Sequence, residues 1–168
     1  QRDYRNALGS FATGVTVVTT VDAGGRRYAM TVNSFAAVSL APPLVLWSVS
    51  RESPSARAFQ TAMHFAINVL AADQVALSRH FARSSDDKFA GIAILPGFAG
   101  LPLIAGAAAV FQCRTETLYP GGDHEVILGR VEQYDYSDGE PLVFCRGRYK
   151  RGVNLEIAAD RDADLAAA

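Results

Sequence analysis

Two clusters of short polar side chains stand out in the chain, each beside an apolar run. The first holds Thr31, Asn33 and Ser34, with Ser39 and its neighbour Leu40 just after. The second holds Ser48, Ser50, Arg51, Ser53 and Ser55, a row of serines around one cation. Side chains on one face of a strand recur at every second residue, so Thr31 and Asn33 can present a hydroxyl and an amide side by side, with Val32 and Ser34 on the other face. Such a pair suits the polar edge of a flat ring. Short hydroxyls, the free N–H groups of a helix start and a guanidinium suit a phosphate. Together the clusters fit a large flat ligand with an anionic tail. Taken singly, the first also fits a solvated edge strand, and Ser53 also fits a plain helix cap.

Other chemistries find little support. The histidines His64, His80 and His124 have no ligand-spaced partners, and no Cys–His cluster exists, so no metal site is expected. No G-x-S-x-G or ordered Ser–His–Asp arrangement supports a hydrolase. No G-x-G-x-x-G follows a strand pattern, so a nicotinamide nucleotide, if bound, does not use the doubly wound fingerprint.

The elements that must position these residues are mostly strands. Residues 3–11 read as a short helix with Tyr4, Ala7, Leu8 and Phe11 on one face, ended by Gly14. Residues 15–21 and 27–34 read as strands joined through Asp22-Ala-Gly-Gly25, a hairpin signal. Pro42-Pro43 stiffens the entry to residues 44–50, a near-continuous apolar run expected to be buried on both faces. Residues 53–62 read as a helix with Ser53 at the N-cap and Pro54 at the first turn. A strand at 64–70 follows, then an amphipathic helix at 72–83 with Val75, Leu77, His80 and Phe81 facing inward. Residues 92–106 read as a loop with a short strand. Strands at 108–118, 125–136 and 142–149 complete the pattern, and evenly spaced antiparallel strands suggest a barrel.

The 168 residues predict one domain over 1–152 and a frayed or weakly helical tail over 153–168. A net charge of −1 without a basic block argues against nucleic acid as partner. No run approaches the roughly 18 apolar residues of a membrane span, and the start lacks an apolar signal core. Cys113 and Cys145 lack CxxC spacing and sit in apolar runs, which reads as buried reduced thiols and a cytoplasmic location.

Several stretches recur in one order that resembles the short-chain flavin reductases, the reductase partners of two-component flavin monooxygenases. They are Phe11-Ala-Thr-Gly-Val-Thr-Val-Val-Thr19, Met30-Thr-Val-Asn-Ser-Phe35, Val38-Ser-Leu-Ala-Pro-Pro-Leu44, Asp87-Lys-Phe-Ala-Gly91 and Gly122-Asp-His124. The resemblance runs from about Asn6 to about Tyr149. It implies a mainly β fold, an FMN-binding split barrel of Greek-key-like topology with a few short helices, carrying flavin at a homodimer interface. It implies an NAD(P)H:flavin oxidoreductase that reduces FMN or FAD with NADH or NADPH and passes reduced flavin to a monooxygenase or another acceptor.

The resemblance also assigns residues. Met30, Thr31, Asn33 and Ser34 would meet the isoalloxazine. Ser39, Leu40, Ser48, Ser50, Arg51, Ser53 and Ser55 would serve the rest of the cofactor, with Arg51 at the phosphate. Lys88 and Phe89 would lie beside the flavin, although by themselves they read as a charge pair with Asp87 and a core ring. His124 would sit over the flavin where nicotinamide stacks, with Tyr149 as a further nucleotide contact. Asn33 stands where several relatives carry a smaller residue, and Trp47 lies in the core strand, which leaves FMN against FAD open. The alternatives are a non-catalytic flavin or haem carrier and an oxidase of the pyridoxamine-phosphate type, for which Arg51 and Lys88 are a thin cationic supply.

Overall fold

A computed structural model describes residues 2–154 of the chain. The expected tail lies outside them apart from Val153 and Asn154, which are exposed and irregular. The helices are α1 (Arg2–Leu8), α2 (Ala56–Thr61) and α3 (Val75–Phe81). The strands are β1 (Thr13–Gly14), β2 (Thr16–Val21), β3 (Arg27–Val32), β4 (Ala36–Leu40), β5 (Pro43–Ser50), β6 (His64–Val69), β7 (Ile94–Pro96), β8 (Pro102–Ile104), β9 (Ala109–Gly121), β10 (His124–Tyr136), β11 (Leu142–Cys145) and β12 (Arg148–Arg151). No helix among the described residues is long and apolar enough to cross a membrane.

The main sheet has seven strands in the order β3-β2-β6-β9-β10-β5-β4. All its neighbours are antiparallel. Its edge strands, β3 and β4, are consecutive in the chain. The sheet rolls until Val18 of β2 joins Val45, Trp47 and Val49 of β5, Phe65 of β6 and Ile127 of β10 in one buried cluster. Trp47 meets Phe59 edge-on at 5.0 Å between centroids and Phe65 at 5.9 Å. The roll is therefore a barrel whose seam is the β3–β4 corner. There the Ser34 hydroxyl accepts from Ser48 N–H at 2.9 Å and donates to Ser48 C=O at 3.2 Å.

A second cluster lies outside the barrel. Val15, Val17, Ala29, Leu70, Phe81, Ile104 and Leu142 pack there under α3 and the small sheets β1-β11-β12 and β7-β8. This layer makes β2 the strand buried on both faces. Its threonines are satisfied by carbonyls: Thr16 by Val32, Thr19 by Pro102 and Thr20 by His64. Double burial was expected of β5 instead. There only Val45, Trp47 and Val49 are fully buried, and the alternate residues are half-buried, because no layer among the described residues covers the outer face of β5.

Other boundaries differ from the sequence expectation for local reasons. The first helix ends at Leu8, and Gly14 pairs with Val143 in β1. Among the described residues nothing buries the apolar face of α1, and none of its residues is buried. Residues 36–40 form an edge strand, β4, that the sequence reading left out. Helix α2 starts after Ser55 without a side-chain cap, and Ser53 Oγ accepts from Ser55 N–H at 3.3 Å in the preceding turn. Helix α3 is shorter than the amphipathic pattern, and Ser78 and Phe81 are its buried residues. The expected strand at 142–149 breaks at Arg146 and Gly147, both at positive φ, into the β11–β12 hairpin.

Candidate functional site

The site is built around β3. Its alternation sends Tyr28, Met30 and Val32 toward the barrel interior. Ala29 enters the outer cluster, and Thr31 Oγ1 donates to the Ser78 carbonyl of α3 at 2.7 Å. A cleft of about 490 Å³ follows this strand. Arg26, Arg27, Met30 and Thr31 line one wall, Ser53, Pro54 and Ser55 a second, and Arg83, Ser84, Ser85 and Lys88 the end beyond α3. Thr31 also lines a smaller compartment of about 190 Å³ with Asn33, Ser78, Phe144 and Tyr149. The two compartments adjoin at Thr31, a groove in two parts along the strand.

Its two ends differ chemically. Three arginines, one lysine and several serine hydroxyls meet at the Arg83–Lys88 end, against one acid, Asp86. Such a set suits a phosphate through charge-assisted hydrogen bonds. Helix α2 has only six residues, so its macrodipole adds little there. No charged side chain lines the other end. Tyr149 Oη lies 2.9 Å from Ser78 Oγ, and the Arg79 guanidinium stacks over the Tyr149 ring at 5.6 Å. Ser78 thus links Thr31, through its carbonyl, to Tyr149, through its hydroxyl.

Lys88 is not paired with Asp87. Its ammonium donates to the carbonyls of Ala29 at 2.9 Å and Phe81 at 3.0 Å, and Asp87 accepts from Phe89 N–H instead. An ammonium has three donors, so one remains for a ligand. Burial lowers the Lys88 pKa below that of a free lysine. Phe89 packs on Phe81 at 5.6 Å in the outer cluster.

The structure therefore brings Met30, Thr31, Asn33, Ser53, Ser55, Lys88 and Tyr149 to one groove. It does not bring the rest of the expected set to it within one chain. Ser34 spends its hydroxyl on Ser48, which lies across the barrel seam. Ser39 and Leu40 are on the edge strand β4. Arg51 follows Ser50 at the end of β5, exposed, with its N–H on the Asp123 carbonyl at 3.0 Å. His124 pairs across the ladder with Ser50. Its Nδ1 lies 2.8 Å from Asp123 Oδ1, a hydrogen bond that lowers the Asp123 pKa. Sequence reasoning missed Arg26, Arg27, Arg83, Ser84 and Ser85. The available signal was Arg83 at the end of the expected 72–83 helix, followed by Ser84 and Ser85, within five residues of the singled-out Lys88.

Residues 8–152 match the flavin reductase like domain. An FMN reductase (NADH), SmoA, of Agrobacterium fabrum is 47% identical over 89% of this chain and 85% of its own length. The reductase component of a flavin-dependent trigonelline monooxygenase from Acinetobacter baylyi is 44% identical over 88% of this chain, which spans about half of that protein, 48%. The NADH:FAD oxidoreductase SgcE6 of Streptomyces globisporus, solved with NAD and FAD fragments, is 39% identical and superposes with a TM-score of 0.85 over 96% of this chain and 94% of its own. A rolled antiparallel barrel, a groove with one cationic end and this breadth of identity agree: the chain belongs to the flavin reductase like domain family.

Proposed function

We propose that this protein is an NADH-dependent flavin reductase that reduces FMN or FAD and supplies reduced flavin to a monooxygenase partner. The observation that carries the reading is the polarity of the groove along β3, cationic at one end and lined by no charged side chain at the other. A flavin nucleotide has the same polarity, a flat ring with an anionic tail. Relatives named as NADH-dependent reductases and as monooxygenase reductase components support the donor and the acceptor.

Bound flavin supplies the hydride-accepting chemistry. The chain's own residues bind and orient. Arg26, Arg27 and Arg83, with Ser53, Ser55, Ser84 and Ser85, hold the phosphate. Lys88 adds its third N–H from beneath. Met30, Thr31 and Asn33 flank the ring, and Tyr149 closes the other end. Positioning of donor and acceptor is the main task, so no nucleophile or strong acid is required of the protein.

Ser39, Leu40, Ser48, Ser50, Arg51 and His124 lie outside one chain's groove, and we assign them to a site completed in a homodimer. Support comes from uncovered apolar surface: Leu40 is 94% exposed and Val38 48% on the edge strand, and Phe11 is 78% exposed. In that assembly His124 seats the nicotinamide. A cytoplasmic location, where NADH is supplied and thiols stay reduced, belongs to the same reading.

Anaerobic stopped-flow mixing of the flavin-loaded protein with NADH tests it. Bleaching of the flavin absorbance at a rate that saturates with NADH is expected. Flavin that binds and is not bleached overturns the reductase in favour of a carrier.

A further inference from the structure

His80 lies in the last turn of α3 and does not itself line the groove. Its half-buried ring stands edge-on to Phe81, with centroids 5.1 Å apart. Phe81 is fully buried and packs in turn on Phe89. The outer core therefore sets the orientation of the imidazole. Its Nε2 lies 2.7 Å from the carbonyl oxygen of Lys88, eight residues further on. A carbonyl can only accept, so Nε2 carries the proton and donates, in the neutral ring as in the charged one.

This bond closes the segment that carries the cationic end of the cleft. Residues 82–87 are exposed and belong to no helix or strand. Arg83, Ser84 and Ser85 among them line the cleft, and Lys88 follows. His80 holds both ends of the segment. Its carbonyl accepts from Arg83 N–H at 3.2 Å, and its ring donates to the Lys88 carbonyl. The Lys88 side chain runs to other anchors, the carbonyls of Ala29 and Phe81. The main chain of Lys88 is thus fixed through His80, and its ammonium through β3 and α3. A loop that is free before binding loses conformational entropy when it closes on a ligand, and one already held loses less.

We propose that His80 is a positioning residue for phosphate binding: its ring clasps the Lys88 main chain and holds the Arg83–Lys88 segment ready to receive the anion. It touches neither cofactor nor substrate. An apolar side chain could serve the packing against Phe81 equally well, so the donor at Nε2 is what the position uses. That the anion is the phosphate of a flavin rests on the reductase reading, whereas the clasp itself does not.

Three variants of the full chain test this. His80→Leu and His80→Ala both remove the donor, the first with apolar bulk kept and the second without, so that one folded variant suffices. His80→Gln keeps a side-chain N–H. In the donor-free variants the Kd for FMN should rise about threefold to tenfold, the equivalent of one neutral hydrogen bond, and that for riboflavin should stay in place. Amide exchange at Arg83 and Phe89, the N–H groups bonded at the two ends of the segment, should quicken severalfold. His80→Gln should recover part of both effects. A histidine that only supports the fold predicts a lower Tm with both flavins weakened alike. That pattern, unaltered exchange at the two amides, or a glutamine variant no better than leucine overturns the proposal. If the parent holds FMN no more tightly than riboflavin, quickened exchange in His80→Leu sustains the clasp and removes the flavin-phosphate reading alone.

Discussion

Lys88 and Ala29 are 59 residues apart in the chain, yet the Lys88 ammonium donates to the Ala29 carbonyl at 2.9 Å. The same nitrogen reaches Phe81 at 3.0 Å. One side chain therefore ties β3 to the end of α3, the two elements between which the groove runs. It does so while leaving a donor for an anion.

Replacing Lys88 with methionine keeps the aliphatic stem and removes both bonds. Stability should fall by about 1–2 kcal/mol, the usual net worth of two hydrogen bonds lost at a partly buried position. FMN affinity should fall further than riboflavin affinity, since only FMN carries the phosphate. Thermal melts and the dissociation constants of both flavins check this. Equal losses for the two flavins would leave Lys88 a purely structural tie.

Burial lowers the Lys88 pKa below 10.5. In the window between the lowered value and 10.5 the unfolded chain binds more protons than the folded one. The cost of burying this charge is full below the folded pKa and vanishes above 10.5, so this residue makes stability rise with pH across the window. Phosphate binding runs the other way, because the cation is being lost. The ratio of riboflavin to FMN dissociation constants should therefore fall as pH rises through the window, and Lys88→Met should flatten that part of the profile.

Arg83 and Arg51 separate two accounts of the phosphate end. Arg83 lines the cleft and Arg51 does not. Arg83→Ala should weaken FMN about threefold to fivefold, in a salt-sensitive way, and spare riboflavin. Arg51→Ala measured beside it should cost FMN less. The reverse order would return the phosphate to Arg51 and require a second subunit to deliver it.

His124 tests the nicotinamide side. His124→Ala should raise the KM for NADH about fivefold, the equivalent of one lost hydrogen bond near 1 kcal/mol, and leave FMN affinity unchanged. Steady-state kinetics at saturating flavin decide it. An unaltered KM for NADH retires the assignment.

Gly129 of β10 is required by packing. A Cβ there would lie 2.3 Å from Phe65 Cζ and 2.8 Å from its Cε1, and Phe65 is itself held by Trp47. Gly129→Ala should cost about 1–3 kcal/mol as an overpacked core. Urea unfolding followed by fluorescence of the single tryptophan, Trp47, measures the loss, and adding Phe65→Leu should recover part of it.

Much of the fold was legible because turns and strand alternation are local. Asp22 illustrates it: its carboxylate accepts from the N–H groups of Gly24 and Arg26, both at 2.9 Å, and closes the β2–β3 hairpin expected from the sequence. Thr31 and Asn33 line one compartment as expected, but Val32 between them lines it too and β3 ends at Val32, so alternation alone does not account for the pair. Periodicity states which residues share a face and is silent on what covers it. That is why double burial fell to β2, under α3 and β8, rather than to β5. The tertiary structure alone decided which cations meet β3. Arg83 and Lys88 arrive from beyond α3, whereas Arg51, nearer the serine cluster in the chain, is exposed and does not line the cleft within one subunit. The contacts that settle this, Thr31 to Ser78 across 47 residues and Lys88 to Ala29 across 59, depend on how the barrel rolls. Such closures leave no periodic trace in the chain, because they are made by single side chains after the sheet has formed.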